Sequence, residues 1–199
     1  MSSVRLVESA EMARDGIQQH LAVIFHENRL LLSKLKDNAF DDLIRGIGSA
    51  RAVFFSAQGR ASYILRCFCM RLMHLGFHVH FCGDTTTPAM GRGDLLVVLS
   101  GSGETAWTLE AVKSARSHHA QTFGLLGKKD SAIGRLVDCS MILPGTTKLR
   151  RNGEPPSRQM SGSLFEQAAF FFLEAVILEL SRERTEAGED LLARHAVIE

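Results

Sequence analysis

The six residues Ser100-Gly101-Ser102-Gly103-Glu104-Thr105 combine three hydroxyls with two glycines. They stand between an apolar run, Leu95 to Leu99, and a helix-like segment, Ala106 to Ser117. A helix entrance exposes unpaired backbone N–H groups and the positive end of the helix dipole. Glycines let the backbone close on an anion, and hydroxyls add donors. Ser100, Gly101, Ser102, Gly103 and Thr105 therefore read as a phosphate-binding loop. The alternative is a plain helix start, with Ser102 as cap and Glu104 or Thr105 supporting the first turn. A cap needs one hydroxyl, and this loop supplies three. No Lys follows the glycines, so a Walker-type nucleotide loop is excluded.

Two further residues could move protons. Glu166 heads a very apolar segment, where desolvation makes a carboxylate a better base. Ser163-Leu164-Phe165-Glu166 also reads as an S-x-x-E capping box, so both roles stay open. His74 lies on an apolar helix-like run, close to its end before Gly76. A lone histidine there is more often packed or set against the helix dipole. His78 and His80 alternate along a strand, with no carboxylate or cysteine to complete a metal site, and His118 and His119 end a helix. Gly59-Arg60 and Asp84-Thr85 follow the first and second apolar runs, where they either line a pocket or stiffen loops and form ion pairs.

The elements that must position these residues are short. Ala52–Phe55, Val79–Cys82, Leu95–Leu99, Thr122–Leu126 and Cys139–Leu143 are apolar runs of strand length. Helix-like segments separate the first two, the third and fourth, and the last two. That rhythm predicts an α/β fold, a flavodoxin-like, doubly wound, five-stranded parallel sheet flanked by helices. Such sheets bind ligands beyond the carboxyl ends of their strands, which directs attention to the loops after Phe55, Cys82, Leu99 and Leu126. One domain is expected over 1–199. Its parts are N-terminal helices to residue 50, an α/β core over 51–143, an irregular stretch over 144–162 and C-terminal helices over 163–199. A short tail helix is expected over about Glu186 to His195.

Composition narrows the partners. The chain has 199 residues, 45% hydrophobic and 23% charged, with a formal net charge of +1. Disorder is a poor fit, and no global field draws nucleic acid. The basic stretch Lys148, Arg150, Arg151 and Arg158 has no interleaved aromatics and reads as a solvated loop. The run Leu164 to Leu180 is interrupted by Glu166, Glu174 and Glu179 and is shorter than the ~20 residues of a membrane span. Met1 to Arg14 lacks an apolar signal core. Cys67, Cys69, Cys82 and Cys139 form no Cys-x-x-Cys pair and read as reduced core residues of a cytoplasmic protein. No G-x-G-x-x-G follows the first strand, which leaves a dinucleotide enzyme the least supported class.

Ser-Gly-Ser-Gly-Glu-Thr after the third strand resembles the phosphate loop of sugar isomerase (SIS) domains. Four other segments resemble the 6-phospho-3-hexuloisomerases within that superfamily. They are Met70-Arg71-Leu72-Met73-His74-Leu75-Gly76, Gly83-Asp84-Thr85-Thr86-Thr87-Pro88, Gly162-Ser163-Leu164-Phe165-Glu166 and Ala193-Arg194-His195-Ala196-Val197-Ile198-Glu199. The resemblance implies interconversion of D-arabino-3-hexulose 6-phosphate and fructose 6-phosphate, without metal or other cofactor. It also implies a homotetramer with shared active sites. Glu166 is then the base and His74 the acid/base partner, serving a neighbouring subunit's site, while Gly59, Arg60, Ser62, Asp84 and Thr85 line the pocket. Two departures stand out. The family's Gly-x-Gly-Arg-Ser-Gly is here Ala57-Gln58-Gly59-Arg60-Ala61-Ser62, so the hydroxyl expected at 61 is missing, with Ser62 or Ser56 as possible substitutes. The family's Glu in the Gly-Glu-Thr segment is Asp84. These changes keep two alternatives in view, a phosphosugar-sensing domain without catalysis and an isomerase of another phosphoketose.

Overall fold

The computed structural model describes residues 3–35, 38–145, 156–186 and Arg194. Lys148, Arg150 and Arg151 of the basic stretch, most of the irregular stretch, and all of the expected tail helix but Glu186 and Arg194 lie outside the described residues. Two helices, α1 (Ser3–Leu32) and α2 (Asn38–Ser49), precede strand β1 (Val53–Ser56). Then follow α3 (Arg60–His74), β2 (Val79–Phe81), β3 (Leu95–Ser100), α4 (Ala106–Ser117), β4 (Gln121–Leu126), β5 (Cys139–Ile142) and α5 (Ser163–Glu186). The strands pair in the order β2-β1-β3-β4-β5, every pair parallel. This is the expected doubly wound order, with its reversal beside β1 and β3.

The strand sequences are apolar without a break because both faces of the sheet are covered. Val53, Phe55, Leu95, Val97, Leu99, Phe123 and Leu125 join the larger core, which α2, α3 and α5 complete through Leu43, Ile47, Leu65, Phe68, Leu72, Phe165 and Phe172. Phe54, Leu96, Val98 and Leu126 point the other way, onto Val112 and Ala115 of α4 and onto Ile133. Side chains alternate across a strand, so each strand feeds both cores. On α5, Leu164, Phe165, Ala168, Ala169, Phe172, Leu173, Val176, Ile177 and Leu180 are buried at helical spacing, while Phe170, Phe171 and Leu178 face outward. Among the described residues, no helix is long and apolar enough to cross a membrane.

Two expectations need correction. No helix forms between β4 and β5. Residues 131–136 make a turn, in which the Arg135 N–H donates to Ser131 O and the Leu136 N–H to Ile133 O. Gly134 allows the tight packing, because a Cβ there would lie 2.1 Å from Lys129 O. The cysteines are not all core residues either. All four are free thiols, but Cys67 and Cys139 are exposed. Burial pushes the Cys69 and Cys82 thiols up to about 11, which makes both poor nucleophiles.

Candidate active site

Beyond the carboxyl end of β3, a cavity of about 200 Å³ is lined by Gln58, Ala61, Leu99, Ser100, Gly101, Ser102, Thr105, Gly162, Phe165 and Glu166. Three connections converge there: β1 to α3, β3 to α4, and the entrance to α5. Four residues of the proposed phosphate loop are in this wall; Gly103 stands behind it and shapes the turn.

The loop is held from within. Ser100 Oγ accepts the Gly103 N–H at 3.1 Å and lies 3.0 Å from Thr105 Oγ1. Ser102 Oγ accepts the Glu104 N–H at 3.2 Å. Thr105, not Ser102, is the N-cap residue of α4, and its side chain makes no capping bond. The plain-cap reading therefore fails, and the entrance of α4 keeps its donor character. Gly103 has φ +66°, and a Cβ on it would sit 2.1 Å from Ser131 Oγ. The β4–β5 turn braces the same segment, with the Ile133 N–H on Gly103 O and the Ala132 N–H on Glu104 Oε1. Gly101 is needed for another reason. A side chain there would press on the Phe165 ring at 3.1 Å.

Glu166 faces this loop from the first turn of α5. Its carboxylate is only 6% exposed, and Oε2 lies 2.8 Å from Arg60 Nε. The guanidinium N–H is not aimed at that oxygen, so Oε2 is close to a cation yet accepts no hydrogen bond. Neither arm of a capping box is made. The Ser163 N–H donates to Met160 O and the Glu166 N–H to Gly162 O. The carboxylate is thus committed to the pocket and not to its own helix.

The remaining expected residues divide. Gly59 takes φ +63° as the N-cap of α3 and so delivers Arg60 to Glu166, although neither Gly59 nor Arg60 is itself part of the cavity wall. Ser62 does not line the cavity; its hydroxyl donates to Gly59 O at 2.6 Å. Asp84 and Thr85 are also outside the wall. Asp84 forms a two-bond ion pair with Arg66 at 2.8 and 3.1 Å, and those bonds hold its carboxyl below the usual range. It borders a separate cavity beside β2. Ser56 is fully buried, its hydroxyl meets no partner, and it is not part of the cavity wall.

His74 is not brought to the pocket of its own chain. It ends α3, and Arg60 begins it. Fourteen steps of about 1.5 Å place it roughly 20 Å along the helix, toward the amino ends of the strands. It is buried, and Arg194 donates to its backbone carbonyl at 3.4 Å. Gln58, Gly162 and Phe165 line the cavity without having been singled out for it. The rule that ligands sit beyond strand ends pointed to Gln58, whereas Gly162 and Phe165 stand in the Gly162–Glu166 segment, where only Glu166 is given a role.

A five-stranded 2-1-3-4-5 sheet with a hydroxyl- and glycine-lined helix entrance defines a phosphosugar-type α/β domain. The chain belongs to the SIS domain family, whose pattern it matches over residues 47–152. It is 36% identical to the 3-hexulose-6-phosphate isomerase of Mycobacterium gastri, over 96% of each chain. It is 34% identical to the 3-hexulose-6-phosphate isomerase of Bacillus subtilis, over 91% of this chain and 98% of that one. A crystal structure from Methanococcus jannaschii, from which a 3-hexulose-6-phosphate isomerase function was inferred, superimposes with a TM-score of 0.74 at 31% identity. That match covers 91% of this chain and 99% of the other.

Proposed function

We propose that this protein is an isomerase interconverting D-arabino-3-hexulose 6-phosphate and fructose 6-phosphate. The observation that carries the reading is the joint lining of one cavity by a buried carboxylate, Glu166, and by the hydroxyls of Ser100, Ser102 and Thr105. The loop and the α4 entrance hold the phosphate. Glu166 takes the proton from C2 of the 3-ulose as the C3 carbonyl electrons move to oxygen; the O2–H proton then passes to O3, and the Glu166 carboxyl returns its proton to C3 as the C2 carbonyl forms. The Arg60 guanidinium, beside the carboxylate, offsets negative charge as the enediolate forms.

Relatives matched over more than nine-tenths of both chains at 34–36% identity carry that activity in their names, which supports the substrate. The acid/base partner is assigned to His74 of a neighbouring subunit, because His74 cannot serve its own chain. Tyr63, Met70 and Met73 expose apolar surface along α3, and Ile17, Leu21 and Phe25 do so along α1. Surfaces of this kind support a homo-oligomer, for which the resemblance gives a tetramer. Cytoplasmic placement belongs to the same proposal.

The deciding experiment is turnover of fructose 6-phosphate and its 3-ulose isomer by wild type and Glu166→Gln. A positioned base contributes about 10²–10⁴-fold, and the variant should lose that much while still binding sugar phosphate in a calorimeter. Tight binding by wild type without turnover makes the protein a sensor. Full activity in Glu166→Gln removes Glu166 from the mechanism.

A further inference from the structure

Between residues 16 and 32 helix α1 is largely solvent-exposed, yet two consecutive residues there make long-range polar contacts. Glu27 accepts three hydrogen bonds from the segment that leads into α5. They come from the Ser157 hydroxyl at 2.7 Å, the Arg158 N–H at 2.9 Å and the Gln159 side-chain amide at 2.9 Å. Burial pushes the Glu27 carboxyl up, but these donors outweigh it and hold it below the usual range. The next residue, Asn28, is 3% exposed and donates to Gln167 Oε1 at 2.7 Å.

One turn of α1 therefore pins the chain at 157–159 and again at 167. Gly162, Phe165 and Glu166, the third wall of the cavity, lie between those two pins. Gly162 also carries the turn, with φ +90°, and its carbonyl receives the Glu166 N–H. A helix needing only to cover apolar surface would not require a carboxylate saturated by donors some 130 residues away. We propose that Glu27 is a positioning residue, which fixes Ser157–Gln159 so that Gly162 and Glu166 keep their place opposite the phosphate loop. The proposal rests on the isomerase reading for its kinetic consequence, but not for its structural one.

The test compares wild type, Glu27→Gln and Ser157→Ala as full-length chains. A glutamine offers one acceptor oxygen in place of two, so it cannot satisfy all three donors. Glu27→Gln should lower kcat about tenfold or more while KM changes less than threefold, because the phosphate loop belongs to β3 and α4. Amide hydrogen exchange in residues 157–166 should rise, and exchange in 100–106 should not. Ser157→Ala, a milder change, should reproduce the effect in part, and the double variant should be less than additive. Unchanged kcat in Glu27→Gln, or a loss that only tracks lowered melting temperature, overturns the proposal. If wild type does not turn over the sugar phosphate, the isomerase reading falls, and exchange in 157–166 alone decides whether Glu27 holds the wall. Should Glu27→Gln fail to fold, Ser157→Ala and Gln159→Ala carry the same kinetic and exchange criteria.

Discussion

Arg60 Nε stands 2.8 Å from Glu166 Oε2, joining the first residue of α3 to the first turn of α5 beside the cavity that Glu166 lines. The carboxylate is nearly buried and the guanidinium mostly exposed, so one pair spans the boundary between pocket and solvent. An exposed partner limits what the pair adds to stability. Its importance is positional. Replacing Arg60 with Ala should change the melting temperature little, lower kcat about 10- to 100-fold and raise KM for the dianionic substrate. Steady-state kinetics with a parallel thermal scan checks this. A variant with wild-type kcat would free Arg60 of any part in the chemistry.

Gly103→Ala addresses the loop itself. The left-handed backbone at φ +66° costs an L-residue about 1–2 kcal/mol, and the new methyl would overlap Ser131 Oγ. Ser131 is fully buried and cannot retreat, since its hydroxyl donates to Lys128 O and accepts the Gly134 N–H. The variant should be destabilised by about 2 kcal/mol or more and should bind fructose 6-phosphate at least tenfold more weakly. Chemical denaturation and calorimetry read the two effects separately.

Much of this arrangement was legible in the sequence, because local patterns set it. Continuous apolar runs such as Leu95–Leu99 announced strands covered on both faces, and three hydroxyls beside two glycines announced the loop. What was not legible depends on where side chains turn. Ser62 bonds back to Gly59, and Asp84 is captured by Arg66, with which it borders a separate cavity. Both had been expected in the pocket wall. His74 shares α3 with Arg60, but only the helix's length reveals that the two lie at opposite ends of the strands. Glu27 gave no signal, since its partners lie some 130 residues distant.

The amino ends of β1 and β3 have their own electrostatic lock. Asp94 is 1% exposed and receives Arg51 Nε at 3.0 Å, Arg51 Nη2 at 2.7 Å and the Gly91 N–H at 2.8 Å. The Arg51 hydrogen bonds hold the Asp94 carboxyl below its ordinary range, against the effect of burial. A carboxyl lowered by folding adds stability that is present above its unfolded value, about 3.9, and is lost as pH falls through the folded one. Asp94→Asn should therefore cost about 1–3 kcal/mol at pH 7 and narrow its deficit to wild type below pH 4. Urea unfolding from pH 3 to 7 measures both curves. A deficit independent of pH would assign the loss to packing instead of charge.

Ala61 offers the most direct probe of where the substrate's phosphate rests. It lines the cavity from the first turn of α3, 8% exposed, where the resemblance leads one to expect a hydroxyl. Its methyl cannot donate, so an anion there relies on Ser100, Ser102, Thr105 and backbone N–H groups. A hydrogen bond to a charged group contributes about 1.5–3 kcal/mol, roughly 10- to 100-fold in affinity. Ala61→Ser should therefore tighten fructose 6-phosphate binding by about tenfold, the lower end, because the new hydroxyl must also be desolvated. Binding of unphosphorylated fructose should not change. Calorimetry with both sugars separates a phosphate contact from a general gain in polarity. Equal affinities for wild type and variant would place the phosphate away from α3, against the α4 entrance alone.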